Sequence, residues 1–134
     1  MKTATVRYEG ELRTTMRHER SGQEVITDAP VDNHGKGEAF SPTDLLSSSL
    51  VSCMISIMGI RAMKGNMHMG KVTGSVIKVM AENPRRVAEL KVEITFEGHQ
   101  LDELQKEILL KAAHTCPVAL SLHPDIRQEV VFHW

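Results

Sequence analysis

SPTDLLSSSLVSCMISIMGIRAMK, residues 41–64, is the stretch on which the fold turns. Ser41 can cap a helix, Pro42 suits the first helical position, and Asp44 completes an S-x-x-D capping box. The spacing predicts a long helix over about 42 to 64. Leu45, Leu46, Leu50, Val51, Cys53, Met54, Ile55, Ile57, Met58 and Ile60 leave it no wide polar face. Such a helix is central and covered on most sides. In a 134-residue chain a single sheet cannot cover it all.

Working outward, TATVRYEGELRTTMRHERSGQEVIT (3–27) is rich in Thr, Val and Arg with rough alternation, broken at Gly10 and at Ser21-Gly22, and reads as a β-meander. DAPVDNHGKGEAF (28–40) carries Pro30, Gly35 and Gly37 without apolar periodicity, so it is an irregular connection into the helix. Beyond the helix, KVTGSVIKVMAE (71–82) and RRVAELKVEITFEG (85–98) form an expected hairpin joined at Asn83-Pro84. The second strand alternates imperfectly through Val87, Leu90, Val92, Ile94 and Phe96. LDELQKEILLKAAHT (101–115) has the apolar spacing of an amphipathic helix, which Pro117 should stop at Cys116. A short turn, PVALSL, and a last strand, RQEVVFHW, complete an α+β chain expected to be one domain over residues 1–134.

Sixteen Lys+Arg against seventeen Asp+Glu give a formal charge of −1, which argues against a nucleic-acid or anionic-lipid partner. The N-terminus has no leader-like pattern, so a cytoplasmic protein is expected. The apolar run Leu45 to Ile60, interrupted by serines, falls short of the roughly 20 residues that span a bilayer. Seven histidines show no spacing that assembles a metal site, and no cofactor is implied. Gly35-Lys36-Gly37 lacks the spacing of a phosphate loop. The methionines Met54, Met58, Met63, Met67 and Met69 suit core filling.

Two cysteines remain as candidates for chemistry. Cytosolic thiols are kept reduced, so any pairing between them is transient, and the alternative is that both are inert core residues. Cys116 precedes Pro117 and sits at a helix start, where free N–H groups favour a thiolate. Cys53 lies mid-helix among Leu50, Met54 and Ile57, where burial raises a thiol pKa unless a cation is brought to it. Local sequence thus makes Cys116 the more acidic thiol.

SPTDLLSSSLVSCM (41–54), followed more than sixty residues later by HTCPVALSL (114–122), resembles the paired cysteine signatures of the OsmC/Ohr family of organic hydroperoxide reductases. The resemblance covers essentially the whole chain. It implies an intertwined homodimer of antiparallel sheets wrapped around two long central helices, with active sites at the subunit interface. It implies that Cys53 is peroxidatic and Cys116 resolving, the reverse of the local ranking, and that an external dithiol restores both. It also implies an activating arginine from the N-terminal sheet. Arg13 is the best match and Arg17 the second, while the loop alternative offers only His34 and Lys36. Family members often place a glutamate after the helix-opening proline to hold that arginine; here the position is Thr43, which weighs against efficient catalysis, and Asp44 is read as the capping partner. The expected function is reduction of organic hydroperoxides to alcohols. The alternative is a non-catalytic dimer of the same fold that binds a small apolar ligand or senses redox state.

Overall fold

The computed structural model describes residues 1–134, which form two compact units, residues 1–46 and 47–134. The first is a three-stranded antiparallel meander of β1 (Ala4–Gly10), β2 (Arg13–His18) and β3 (Glu24–Asp28) in the order β1-β2-β3. The first turn is made by Glu11 and Leu12, both at positive φ. Two such residues give the twist that a tight hairpin needs. A 3-10 turn at Val31–Asn33 follows. Gly35 passes so close to Ala29 that a Cβ there would fall 1.6 Å from the Ala29 carbonyl oxygen, so no larger residue fits this connection.

Helix α1 (Pro42–Gly65) opens as its sequence predicts. The Ser41 hydroxyl accepts from the Asp44 N–H at 3.1 Å, and the Asp44 carboxylate accepts from the Ser41 N–H at 3.0 Å. At 24 residues this helix is long and apolar enough to cross a membrane, longer than the uninterrupted apolar run suggested. Its Leu50, Val51, Met54, Met58 and Ala62 instead enter the core of the second unit with Leu90, Val92, Ile94 and Phe96.

The second unit carries the sheet β4 (Lys71–Ala81), β5 (Arg86–Glu97) and β6 (Arg127–His133), in the order β4-β5-β6. β4 and β5 pair antiparallel across a turn with a cis Asn83-Pro84 bond. A register shift beside Val79 and Met80 gives β5 one extra residue, which explains why its buried positions run Val87, Leu90, Val92, Ile94 and Phe96 rather than in strict alternation. The pair β5–β6 departs from the antiparallel sheets expected, because β6 lies parallel to β5. Parallel neighbours need a crossover, and helices α2 (Glu103–His114) and α3 (Pro117–Ser121) supply it. Gly74 on β4 admits α1: a Cβ there would lie 2.4 Å from Val51 Cγ1 and 3.0 Å from Ile55 Cδ1.

Candidate functional site

The crossover that makes β6 parallel also delivers Cys116 to the core. α2 ends at His114, Pro117 occupies the first turn of α3, and Cys116 between them is the N-cap, in extended conformation at φ −66° and ψ 151°. Its sulfur accepts the Ala119 N–H at 3.4 Å and is fully buried. Cys53 sits half-buried on α1, packed against the same core and near enough to Cys116 to act on its ionisation. The two cysteines, far apart in sequence, therefore meet within residues 47–134.

Burial is the largest influence on Cys116 and pushes its thiol above the ordinary value. The N–H groups of Ala119 and Val118 pull the other way, as the helix start leads one to expect, but they do not win. The proximity of the Cys53 sulfur, towards which the Cys116 S–H can donate, raises Cys116 further. Desolvation, which a short sequence window does not reveal, thus outweighs at Cys116 the helix-start N–H groups on which the local expectation of a favoured thiolate rested. A raised thiol suits the second partner of an exchange better than the first.

Arg13 begins β2 directly opposite Asp28 at the end of β3, and strand register puts the two side chains together. Nε donates to Asp28 Oδ1 at 2.7 Å and Nη2 to Oδ2 at 2.8 Å, a two-point pair. Asp28 is only 1% exposed and also accepts the Glu38 N–H at 3.1 Å, while its own N–H donates to the Phe40 carbonyl. The Arg13 guanidinium holds the Asp28 carboxyl below the usual carboxylate range, and Asp28 in turn raises Arg13. Arg13 lines an open depression of about 420 Å³ together with Thr15, Ile26 and Lys36.

Arg17, four residues along the same strand, meets only Glu24 at 4.0 Å and is half-exposed. Lys36 pairs with Glu11, which raises the lysine and lowers the glutamate. His34 closes the 3-10 turn in the left-handed conformation. The Thr43 hydroxyl lies 3.2 Å from that of Ser41, and Asp44 is engaged in the capping box. His114 packs edge-on against Phe132, a role that helix-end charge alone did not suggest. Of the methionines, Met54 and Met58 are fully buried, whereas Met63 is largely exposed and fills no core.

Asp28 is the residue that the sequence reading passed over. It opens an irregular stretch, DAPVDNHG, and looks like turn punctuation. Only the pairing of Arg13 with Asp28 across the meander would have singled it out, from the register implied by a turn at Glu11-Leu12 and another after His18.

A family model described as OsmC-like protein matches residues 35–131. A solved structure from Psychrobacter arcticus 273-4, described as an osmotic stress induced and detoxification response protein, is 53% identical over 99% of this chain and 96% of its own, with a TM-score of 0.94. An organic hydroperoxide resistance protein OsmC from Legionella pneumophila is 15% identical over 100% of this chain and 98% of its own, with a TM-score of 0.78. An OsmC-like protein from Mycoplasma pneumoniae is 17% identical over 100% and 99%, again with a TM-score of 0.78. At such identities the likeness is one of fold. Among curated proteins there is no match.

Proposed function

The chain belongs to the OsmC-like family, and from that premise we propose that it is a thiol peroxidase that reduces organic hydroperoxides to alcohols, acting as a cytoplasmic homodimer. Cys53 is the attacking thiol, Cys116 the resolving thiol and Arg13 the cation that favours the Cys53 thiolate. The Cys53 sulfur takes the terminal oxygen of ROOH: an S–O bond forms, the O–O bond breaks, and the alkoxide leaves as ROH after taking a proton. The Cys116 sulfur then displaces water from the sulfenic acid, giving a disulfide, and an external dithiol reduces it by exchange. No bound cofactor enters the cycle.

The observation that carries this reading is the meeting of the two thiols. A half-buried cysteine can be reached by a substrate, and a fully buried neighbour whose thiol burial pushes above its ordinary value suits the resolving role. Fold-level likeness to proteins named for organic hydroperoxide resistance supports the substrate class by analogy. With limiting alkyl hydroperoxide, intact-mass and peptide mass spectrometry should find one intramolecular Cys53–Cys116 disulfide, and Cys116→Ser should accumulate sulfenic or overoxidised Cys53. Oxidation confined to Cys116 would reverse the roles. No oxidation at stoichiometric peroxide would favour a ligand-binding or sensory dimer.

A further inference from the structure

The two thiols differ most in what surrounds them. Cys116 is 0% exposed and belongs to the buried cluster that includes Leu109, Ala113 and Ala119. It is tied on every side: its N–H donates to the Ala113 carbonyl at 3.3 Å, its carbonyl accepts the Leu120 N–H at 3.1 Å, and its sulfur accepts the Ala119 N–H. Bringing that sulfur to solvent means undoing the corner between α2 and α3. A second copy of the chain could add cover there and remove none. Cys53, by contrast, is half-buried on a regular helix, and Ser52 and Ser56, one position before it and one turn after it, are exposed. In the proposed cycle a hydroperoxide reaches Cys53, and the same approach serves the molecule that follows it.

In thiol–disulfide exchange the attacking thiolate approaches one sulfur in line with the S–S bond, so the outcome depends on which sulfur can be reached as well as on which one leaves. We infer that the external dithiol enters at Cys53 and expels Cys116. The inference rests on the reading of Cys53 and Cys116 as the pair that closes a disulfide. One thiol of the reductant attacks the Cys53 sulfur: a new S–S bond joins the reductant to Cys53, the Cys53–Cys116 bond breaks, and Cys116 leaves with the electron pair and takes up a proton in place of the one the attacking thiol gave up. The second thiol of the reductant then attacks the reductant sulfur held by Cys53, which closes the reductant's own disulfide and returns Cys53 as a thiol. The protein disulfide is thereby reduced to two thiols and the dithiol is oxidised.

Leaving-group acidity by itself does not favour this direction: burial pushes the Cys116 thiol above its ordinary value, and a less acidic thiol leaves more slowly. That effect only grades the rate, whereas a buried corner blocks the approach until it opens. An opening populated in about one molecule in ten lowers attack at Cys116 about tenfold. Ordered core segments open far more rarely than that. Access therefore decides the direction, and the leaving thiol is the one that the fold holds in place.

The wild-type chain tests this without a substitution. Its disulfide is formed with diamide, which makes the test independent of peroxide turnover, then exposed briefly to 2-mercaptoethanol and stopped with excess N-ethylmaleimide in denaturant. Peptide mass spectrometry should find the mercaptoethanol adduct on Cys53 and the maleimide on Cys116, at least about tenfold over the reverse pattern. Reduction by dithiothreitol is also timed in urea below the unfolding transition. Attack at an accessible sulfur gives a rate that stays within about twofold, while attack through an opened corner gives a rate that climbs exponentially with urea. Where Cys116 recaptures Cys53 too fast for an adduct to be trapped, the urea dependence alone decides. An adduct on Cys116, a preference short of tenfold or a rate that climbs with urea overturns the inference, and so does a failure of diamide to join the two cysteines. If an alkyl hydroperoxide forms no disulfide where diamide does, the peroxidase reading fails, while the same two measurements still decide the sulfur at which a thiol enters.

Discussion

Asp28 binds fewer protons in the folded chain than in the unfolded one, because the Arg13 guanidinium holds its carboxyl below the ordinary value of about 3.9. The stability gained from this is complete above that ordinary value and is lost as pH falls to and through the lowered one. Glu11 is lowered in the same way by Lys36, but it is present in any Asp28 variant and cancels in a comparison. The difference in urea midpoint between wild type and Asp28→Asn should therefore be constant from neutrality down to about pH 5 and then narrow steadily towards pH 2. A gap that keeps its width across the acid limb would show that the pair does not couple folding to protonation. Cys116 makes the same point at a thiol. Its neighbours in sequence favour ionisation, its neighbours in space oppose it, and burial is the larger influence.

Among the elements, α1 owes its length to the cap at Ser41 and its place to the absence of a side chain at Gly74. With Val51 Cγ1 only 2.4 Å from where a Cβ would stand, Gly74→Ala forces β4 and α1 apart; the expected loss is about 1–3 kcal/mol by denaturant unfolding. A wild-type midpoint in that variant would mean that the helix rides further from the sheet. Ser41→Ala removes the acceptor for the Asp44 N–H and should cost about 1 kcal/mol. These local signals are why the helix at 42–64, the meander and the hairpin at Asn83-Pro84 were legible in the sequence to within a few residues. The parallel β6 was not, since a last strand reads the same whichever way it pairs, and only the crossover through α2 and α3 decides it. The cysteines were legible as a motif, and the burial of Cys116 that outweighs its helix-start N–H groups was not. Asp28 was hidden because its partner lies across a strand pairing that turn residues only hint at.

For the molecule as a whole, the informative fact is what residues 1–46 fail to bury. Thr15, Thr27, Asp28 and Ser41 are the buried side chains of that unit, and all are polar. Its apolar side chains lie outside: Val6 and Tyr8 are each 64% exposed, and Val25, Ile26 and Phe40 are exposed as well. A three-stranded sheet with no apolar core is marginal by itself. Val6 and Tyr8, two residues apart on β1, also share a face, so their exposure forms a patch rather than scattered points. The second unit adds Ile60 and Met63 of α1, both exposed, on a helix apolar nearly all round. Water is a poor cover for so much apolar surface, and a second copy of the chain is the cover that the family resemblance implies. Sedimentation equilibrium at micromolar concentration should thus return twice the 15.0 kDa chain mass. Tyr8→Asp, which places a charge in the β1 patch, should weaken self-association at least about tenfold, a loss of about 1.4 kcal/mol. A wild-type chain that stays monomeric and soluble would remove the interface at which the proposed site is assembled. A Tyr8→Asp chain that dimerises as tightly as wild type would leave the dimer standing but move its contact away from β1, to the exposed side of α1.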